Sequence, residues 1–247
     1  MEMPRIGTRK LYHMLQPTLK EKHIGRDRLF DILRANHMLI KPARSYHVTT
    51  NSHHRFRKHK KLGANMEPTR PEQIWVSDIT YIGNRKKHMY LSLVTDAYSK
   101  KIMGYNLSNS LDTQGSLNAL KMANRNRMYR DECLIHHSDR GIQYCSDSYQ
   151  RLLERYHITP SMTESYDPYA NATAERINGI LKQEFMLESL DLPLAEMKRV
   201  VKEAIDKYNN LRPHYSCQYH TPAFMHLQRD VKIKTYKNKE GVSKLIF

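Results

Sequence analysis

The sequence predicts an α/β protein, a sheet of mixed direction flanked by helices, with a small helical module in front of it. Three observations carry this. Three strand-like segments follow one another between residues 74 and 108, strands and helices then alternate, and before residue 70 the only periodic stretches are two short helices in basic surroundings. At 247 residues the chain can hold one mid-sized domain with a small appendage.

Charge singles out the first part. The chain carries 41 Lys and Arg against 25 Asp and Glu, a net +16, and residues 1–70 hold 16 against 5. Such an excess speaks of partners rather than of fold, with nucleic acid first. Residues 1–45 read as a helix-turn-helix-like module. Thr8–Gln16 forms one helix with Leu11, Tyr12 and Leu15 inward, and Gly25 opens a second that buries Leu29, Phe30, Ile32 and Leu33. Arg26 and Arg28, in the first turn of the second helix, are candidates to lie on DNA. A helical hairpin with a solvated basic face is the alternative. Residues 46–70 read as a basic linker along phosphates. His47, His53, His54 and His59 suggest zinc there, but no Cys pair stands at finger spacing.

The pattern changes at Pro71, where a core spanning residues 71–225 begins. Ile74–Ile82 alternates as a strand, with Ile74, Val76, Asp78, Thr80 and Ile82 on one face. His88–Tyr98 and Lys101–Ser108 form an antiparallel hairpin around Ser99-Lys100. Asp112–Arg127 is a helix capped by Asp112 or Thr113. Leu134–Asp139 is a fourth strand, Ser146–His157 a helix capped by Ser146 or Asp147, and Ile158–Met162 a brief fifth strand. A helix within 169–186 follows, with Ile177, Ile180, Leu181 and Phe185 on one stripe at about 100° per residue. Asn171, Glu175 and Lys182 fall opposite that stripe. Pro193–Asn209 is a last amphipathic helix, and residues 226–247 read as a loose basic tail.

Three carboxylates stand out. Asp78 is an anion mid-strand on an apolar face, where an unpaired charge would cost several kcal/mol. Asp139 closes the fourth strand, a place where functional side chains project in α/β sheets. Glu175 comes from a helix, with 35 residues between it and Asp139. Spacing alone decides little, because the chain has 12 Asp and 13 Glu among which pairs at any distance arise by accident. Context decides more. Carboxylates from three elements converge only around something positive, and Mg²⁺ or Mn²⁺ suits an all-oxygen set while leaving positions for phosphate oxygens. A pair of such ions can activate a water or a DNA 3′-hydroxyl and stabilise the leaving oxygen.

The segments Trp75-Val-Ser-Asp78-Ile-Thr-Tyr, His136-His-Ser-Asp139-Arg-Gly-Ile-Gln-Tyr144 and Asp167-Pro-Tyr-Ala-Asn171-Ala-Thr-Ala-Glu175 resemble the acidic triad of retroviral-integrase-like transposases. The second-frame protein of bacterial insertion sequences of the IS-three type is especially similar. Lys182, seven residues after Glu175, and the run Tyr208-Asn-Asn-Leu-Arg212-Pro-His214 with Thr221-Pro222 complete the likeness. It extends from about Ile6 to Thr221. The resemblance implies a ribonuclease-H-like core and metal-dependent cleavage of element ends followed by strand transfer, with no covalent protein–DNA intermediate. It implies Asp78, Asp139 and Glu175 as ligands of Mg²⁺ or Mn²⁺, two ions in all. Lys182 would contact a terminal phosphate or base, Asn171 would position Glu175, and Arg140 would neutralise phosphate or form a surface salt bridge. Implied partners are DNA (element ends and target), further copies of this chain on DNA, and an upstream-frame DNA-binding protein.

Other groups read as structural. Asp96 is the rival carboxylate, and its place beside the hairpin turn favours a turn or packing role. His136 and His137 adjoin the site, and a satisfied core histidine is the default for either. Cys133, Cys145 and Cys217 are odd in number and form no C-x-x-C, against a disulfide frame or thiolate zinc. No run of about 18 apolar residues and no signal-peptide core occurs, so a cytoplasmic protein without a membrane partner is expected. Against the transposase reading stand a non-catalytic DNA-binding or regulatory relative and a structure-selective nuclease that cuts without joining. Loss of a triad member would mark the first of these, and none is lost.

Overall fold

The computed structural model describes residues 3–40, 68–84, 88–162, 172–229 and 231–234, and the backbone of two short strands beyond them. The basic linker up to residue 67, with its four histidines, and Asn171 lie outside the described residues. Three short helices open the chain: α1 (Thr8–Met14), α2 (Gln16–Glu21) and α3 (Arg26–Ala35). They close around Leu19, Leu29 and Leu33, with Leu11, Tyr12, Ile24 and Leu39 at the margin. Only two helices were expected. Pro17 reads as a breaker in sequence, but it occupies the first turn of α2, where its missing N–H costs nothing. The break at Leu15 leaves that side chain exposed rather than inward, and Phe30 and Ile32 are half-buried rather than buried.

The sheet comprises β1 (Ile74–Ile82), β2 (Met89–Asp96), β3 (Ile102–Ser108), β4 (Leu134–Ser138) and β5 (Ile158–Met162), in the order β3-β2-β1-β4-β5. β2 and β3 pair antiparallel; β4 joins β1, and β5 joins β4, in parallel. Between them lie α4 (Thr113–Arg125), a four-residue α5 (Ile142–Cys145) and α6 (Asp147–Arg155), and after them α7 (Ala172–Gln183), α8 (Leu194–Asn210) and α9 (Pro222–His226). Ser146 caps α6 by accepting the Tyr149 N–H (3.3 Å). Asp112 stands at the cap position of α4, but its carboxylate accepts from the Ser110 hydroxyl instead of from a helix N–H. Within the stretch read as a basic tail, Tyr236–Lys237 pairs with Ser243–Lys244 in a two-residue antiparallel ladder.

Strand alternation sends side chains to two cores. On one face Trp75, Val94, Met103, Leu134 and Ile158 pack with Ala119, Leu120 and Ala123 of α4 and Tyr149, Leu152 and Leu153 of α6. On the other, Ile82, Leu91, Leu93, Ile102 and Leu107 pack with Ile177, Ile180 and Leu181 of α7 and Met197, Val201, Ile205 and Tyr208 of α8. The result is helices on both sides of a mixed sheet. Gly104 sets how closely α4 lies on β3, since a Cβ there would stand 2.1 Å from the Ala119 carbonyl oxygen and 2.5 Å from the Ala123 nitrogen. Among the described residues no helix is long and apolar enough to cross a membrane.

Candidate active site

The parallel register of β1 and β4 builds the site. Ser77 is level with Ser138, so the next residue of each strand, Asp78 and Asp139, stands at the same height on neighbouring chains. Asp139 lies one residue past the end of β4. It turns back on its own loop, Oδ1 accepting the Gly141 N–H (2.9 Å). A Cβ at residue 141 would sit 2.9 Å from that oxygen, so a larger residue there would make the Asp139 carboxylate shift. Asp78 accepts from the Ile79 N–H (2.9 Å) and from Nδ2 of Asn178 (2.7 Å). The second bond crosses from the sheet to α7 and ties that helix to Asp78. Asn178 was not read from the sequence, yet its signal was there: a polar residue three after Glu175, inside the apolar stripe of Ile177, Ile180 and Leu181.

α7 brings Glu175 and Lys182 to the same region. Glu175 is exposed and Lys182 half-buried, two turns apart. Their fields reach Asp78. Burial pushes the Asp78 carboxyl up to about 8, Asp139 adds to this and Glu175 adds further, while Lys182 opposes. Burial lowers the Lys182 ammonium, with Glu188 and Asp78 pulling it back, and burial raises Glu175. Behind the aspartates, Tyr144 is buried and its phenol is raised by burial, by Tyr149 and by the two aspartates. Arg140 is half-buried beside Asp139. Arg26 and Arg28 are exposed on α3, and Arg26 pairs with its neighbour Asp27 (2.9 Å).

The donor set is all oxygen and carries up to three negative charges that repel one another. A hard divalent cation relieves that repulsion and prefers those donors, so the chemistry of the set fits Mg²⁺ or Mn²⁺. Among the described residues no three His, Cys, Asp or Glu side chains already stand in metal-binding geometry.

The remaining polar groups are tied into the fold. His136 shares Nε2 with the Ser77 hydroxyl (2.7 Å) and the Tyr149 hydroxyl (2.9 Å). Burial and then His137 lower its pKa to about 3, which keeps it neutral. His137 Nδ1 meets the Ser161 hydroxyl at 3.0 Å. Both are buried core histidines, each with a ring nitrogen hydrogen-bonded to a hydroxyl. Asp96 is fully buried and accepts from the Glu72 N–H, the Ser99 N–H and the Ser99 hydroxyl, each at 2.7 Å, so it locks the hairpin turn as expected of it. The three cysteines are free thiols, Cys133 exposed and Cys145 and Cys217 buried.

Two integrase core domain models match the chain, over residues 68–168 and 156–222. The 31 kDa protein of insertion element IS600 from Shigella sonnei is 33% identical over 220 residues, covering 87% of this chain and 80% of that protein. The chain belongs to the integrase-core family of IS3-type insertion-sequence transposases. The transposase for insertion sequence element IS629 from the same organism is 34% identical over 143 residues, 58% of this chain and 48% of the relative. Transposase InsF for insertion sequence IS3A of Escherichia coli strain K12 is 34% identical over 148 residues, 60% and 51%. The chain thus spans four fifths of the first relative and about half of the other two. Among solved structures, the HTLV-2 integrase catalytic core in complex with magnesium matches 64% of this chain and 97% of its own, with a TM-score of 0.50 at 21% identity. The simian T-cell lymphotropic virus intasome chain covers 94% of this chain and 78% of its own, with a TM-score of 0.56 at 21% identity. The fold is that of the retroviral integrase cores, ribonuclease-H-like.

Proposed function

We propose that this transposase-family chain is a DNA-cutting and DNA-joining enzyme whose chemistry runs on Asp78, Asp139 and Glu175. The observation that supports the reading is the level pairing of Ser77 with Ser138, so that Asp78 and Asp139 follow at the same height on neighbouring strands. Asp78, Asp139 and Glu175 would hold Mg²⁺ or Mn²⁺, two ions in all. When bound, such ions supply an activated water or 3′-hydroxyl and charge stabilisation of the leaving oxygen. The chain's own residues do the rest. Asn178 keeps one Asp78 oxygen turned toward α7. Lys182, close enough to feel Asp78, offers a cation to a phosphate of the element end, and Arg140 offers another beside Asp139. The basic N-terminal helices, with Arg26 and Arg28 exposed, hold DNA through its phosphates. Cutting two ends in concert calls for more than one copy on the DNA, and the retention of all three carboxylates favours an enzyme over a binding-only relative.

The test is Glu175→Gln, assayed for Mg²⁺-dependent nicking and joining of a duplex carrying the DNA that flanks the gene. Activity should fall by at least about 10²-fold, a loss typical of removing one stabiliser of developing charge, while duplex binding persists. Equal rates for the two proteins would remove Glu175 from the mechanism.

A further inference from the structure

Glu184 stands immediately past the last helical residue of α7, its own N–H still donating to the Ile180 carbonyl (2.8 Å). Its carboxylate is gripped from two directions. Arg212, which follows α8 and is 1% exposed, makes a two-pronged pair with it, Nε to Oε2 at 2.8 Å and Nη2 to Oε1 at 2.9 Å. Lys10, on α1, binds Oε1 from the other side, and the Lys10 and Glu184 side chains are only 17% and 15% exposed. The same end of α7 receives more of the N-terminal segment: the Arg5 N–H donates to the Glu184 carbonyl (3.2 Å), and Met3 enters the core shared by α7 and α8. Nearby, His13 of α1 stacks on Tyr219 at 4.8 Å.

A two-cation grip on one carboxylate is directional. The guanidinium fork fixes the plane of the carboxylate, and the ammonium fixes one of its oxygens. Burial alone would raise the Glu184 pKa, but Arg212 and then Lys10 more than reverse that, so the carboxylate is charged. Burial and Arg212 bring the Lys10 ammonium down to about 8, and Glu184 is what keeps it from falling further. Removing the anion would leave two cations facing each other in a confined space, so the helix end would shift. Glu175 lies nine residues up the same helix, roughly 13 Å at the usual rise. A rigid helix carries an axial or rotational change at Glu184 to Lys182 and Glu175 undiminished.

We propose that Glu184 is a positioning residue: held by Arg212 from the core and by Lys10 from the N-terminal helices, it sets where α7 presents Glu175 and Lys182 over Asp78, so the metal-binding arrangement depends on the N-terminal helices being docked. This rests on the reading of Asp78, Asp139 and Glu175 as metal ligands.

The test measures Mn²⁺ binding to the full-length protein, without DNA, by calorimetry and by the Mn²⁺ spin signal. Wild type is compared with Asp78→Asn, Glu184→Gln, Lys10→Met and Lys10→Arg, each at a temperature well below its own melting transition. Lys10→Met and Glu184→Gln should each weaken Mn²⁺ binding on the order of tenfold, as loss of a supporting partner of metal ligands does, and Lys10→Arg should restore it. A merely structural contact would lower the melting temperature and leave Mn²⁺ affinity unchanged below it. If Asp78→Asn abolishes binding while Lys10→Met and Glu184→Gln bind as wild type does, the positioning role is wrong and the ligand assignment stands. If Asp78→Asn binds Mn²⁺ as tightly as wild type, the ligand assignment fails and the positioning role with it. Should Glu184→Gln not fold, Lys10→Met against Lys10→Arg decides alone, because Lys10→Met leaves the buried Arg212–Glu184 pair in place.

Discussion

His226 offers the sharpest test of how this core is held together. Its imidazole, fully buried on α9, lies between two fully buried carboxylates: Nε2 is 3.2 Å from Glu72 Oε1, and Nδ1 is 3.8 Å from Asp96 Oδ1, with the Ser99 hydroxyl 2.9 Å from Nδ1. Burial alone would lower the His226 pKa, but Asp96 and Glu72 outweigh it and raise it. Burial would raise both carboxylates, yet His226 and neighbouring N–H groups bring Glu72 and Asp96 below their ordinary values. A raised histidine contributes stability that is fully present below its ordinary 6.5 and fades as pH climbs through the raised value. Lowered carboxylates contribute stability present above their ordinary 4.5 and 3.8 and lost as pH falls through the lowered values. The cluster therefore contributes most between those ordinary carboxylate and histidine values. Breaking a buried pair by removing one partner costs about 3–5 kcal/mol. Here the low end applies, because Glu72 keeps the Met128 and Tyr129 N–H groups and Asp96 keeps Ser99. His226→Leu should thus cost about 3 kcal/mol, or roughly 6–12 °C of Tm in a chain of this size. Circular-dichroism melts of both proteins from about pH 5 to 9 give the difference curve. It should be largest near the acid end and shrink as pH rises. A difference that stays constant across that range would show that His226 acts as a neutral spacer.

Two further outcomes follow from other parts of the structure. Gly104→Ala drives a methyl group into the backbone of α4 and should cost about 3 kcal/mol, the upper end for overpacking, read as a lowered Tm; an unchanged melt would mean that α4 can slide on β3. Binding of the full chain to a fluorescent duplex should weaken steeply with salt, and Arg28→Ala should reduce the log–log salt slope by about 0.9 if that side chain meets one phosphate; Arg26→Ala should change it less, because Asp27 already pairs with Arg26, and equal slopes for wild type and Arg28→Ala would take Arg28 off the DNA.

Much of this fold was legible in the sequence, for identifiable reasons. β1 and β5 match their expected spans residue for residue; in β1 the β-branched and aromatic residues carry the signal, whereas β5 forms despite Pro160 at its centre. The turn role of Asp96 was readable from its position beside Ser99. α2 and α5 escaped. One begins on Gln16-Pro17 and the other is four residues long, too short for a helical period to show. In the candidate site, periodicity assigned faces but not partners. It placed Glu175 and Lys182 on the outward side of α7, but it could not find Asn178 against Asp78, a contact spanning 100 residues of sequence. Nor could it see that the β1–β4 register would set Asp78 level with Asp139, since register is fixed by tertiary packing.

The run from Tyr208 to His214 shows how a signature can be structural. In sequence it marked the family; in the structure Tyr208, Asn209 and Arg212 are buried. The Tyr208 hydroxyl donates to the Lys100 carbonyl (2.8 Å) at the tip of the β2–β3 hairpin. Asn209 accepts the Ile102 N–H (2.9 Å) and donates to the Ile102 carbonyl (3.0 Å), supplying from a side chain the pairing that a neighbouring strand would give. Arg212 closes on Glu184 at the end of α7. Three residues at and just past the end of α8, Tyr208, Asn209 and Arg212, thus tie the start of β3, the hairpin tip and the end of the helix of Glu175 together. Buried polar groups tolerate few substitutes, because each needs its partner at hydrogen-bond distance. That requirement accounts for Tyr, Asn and Arg at these positions without any contact to nucleic acid.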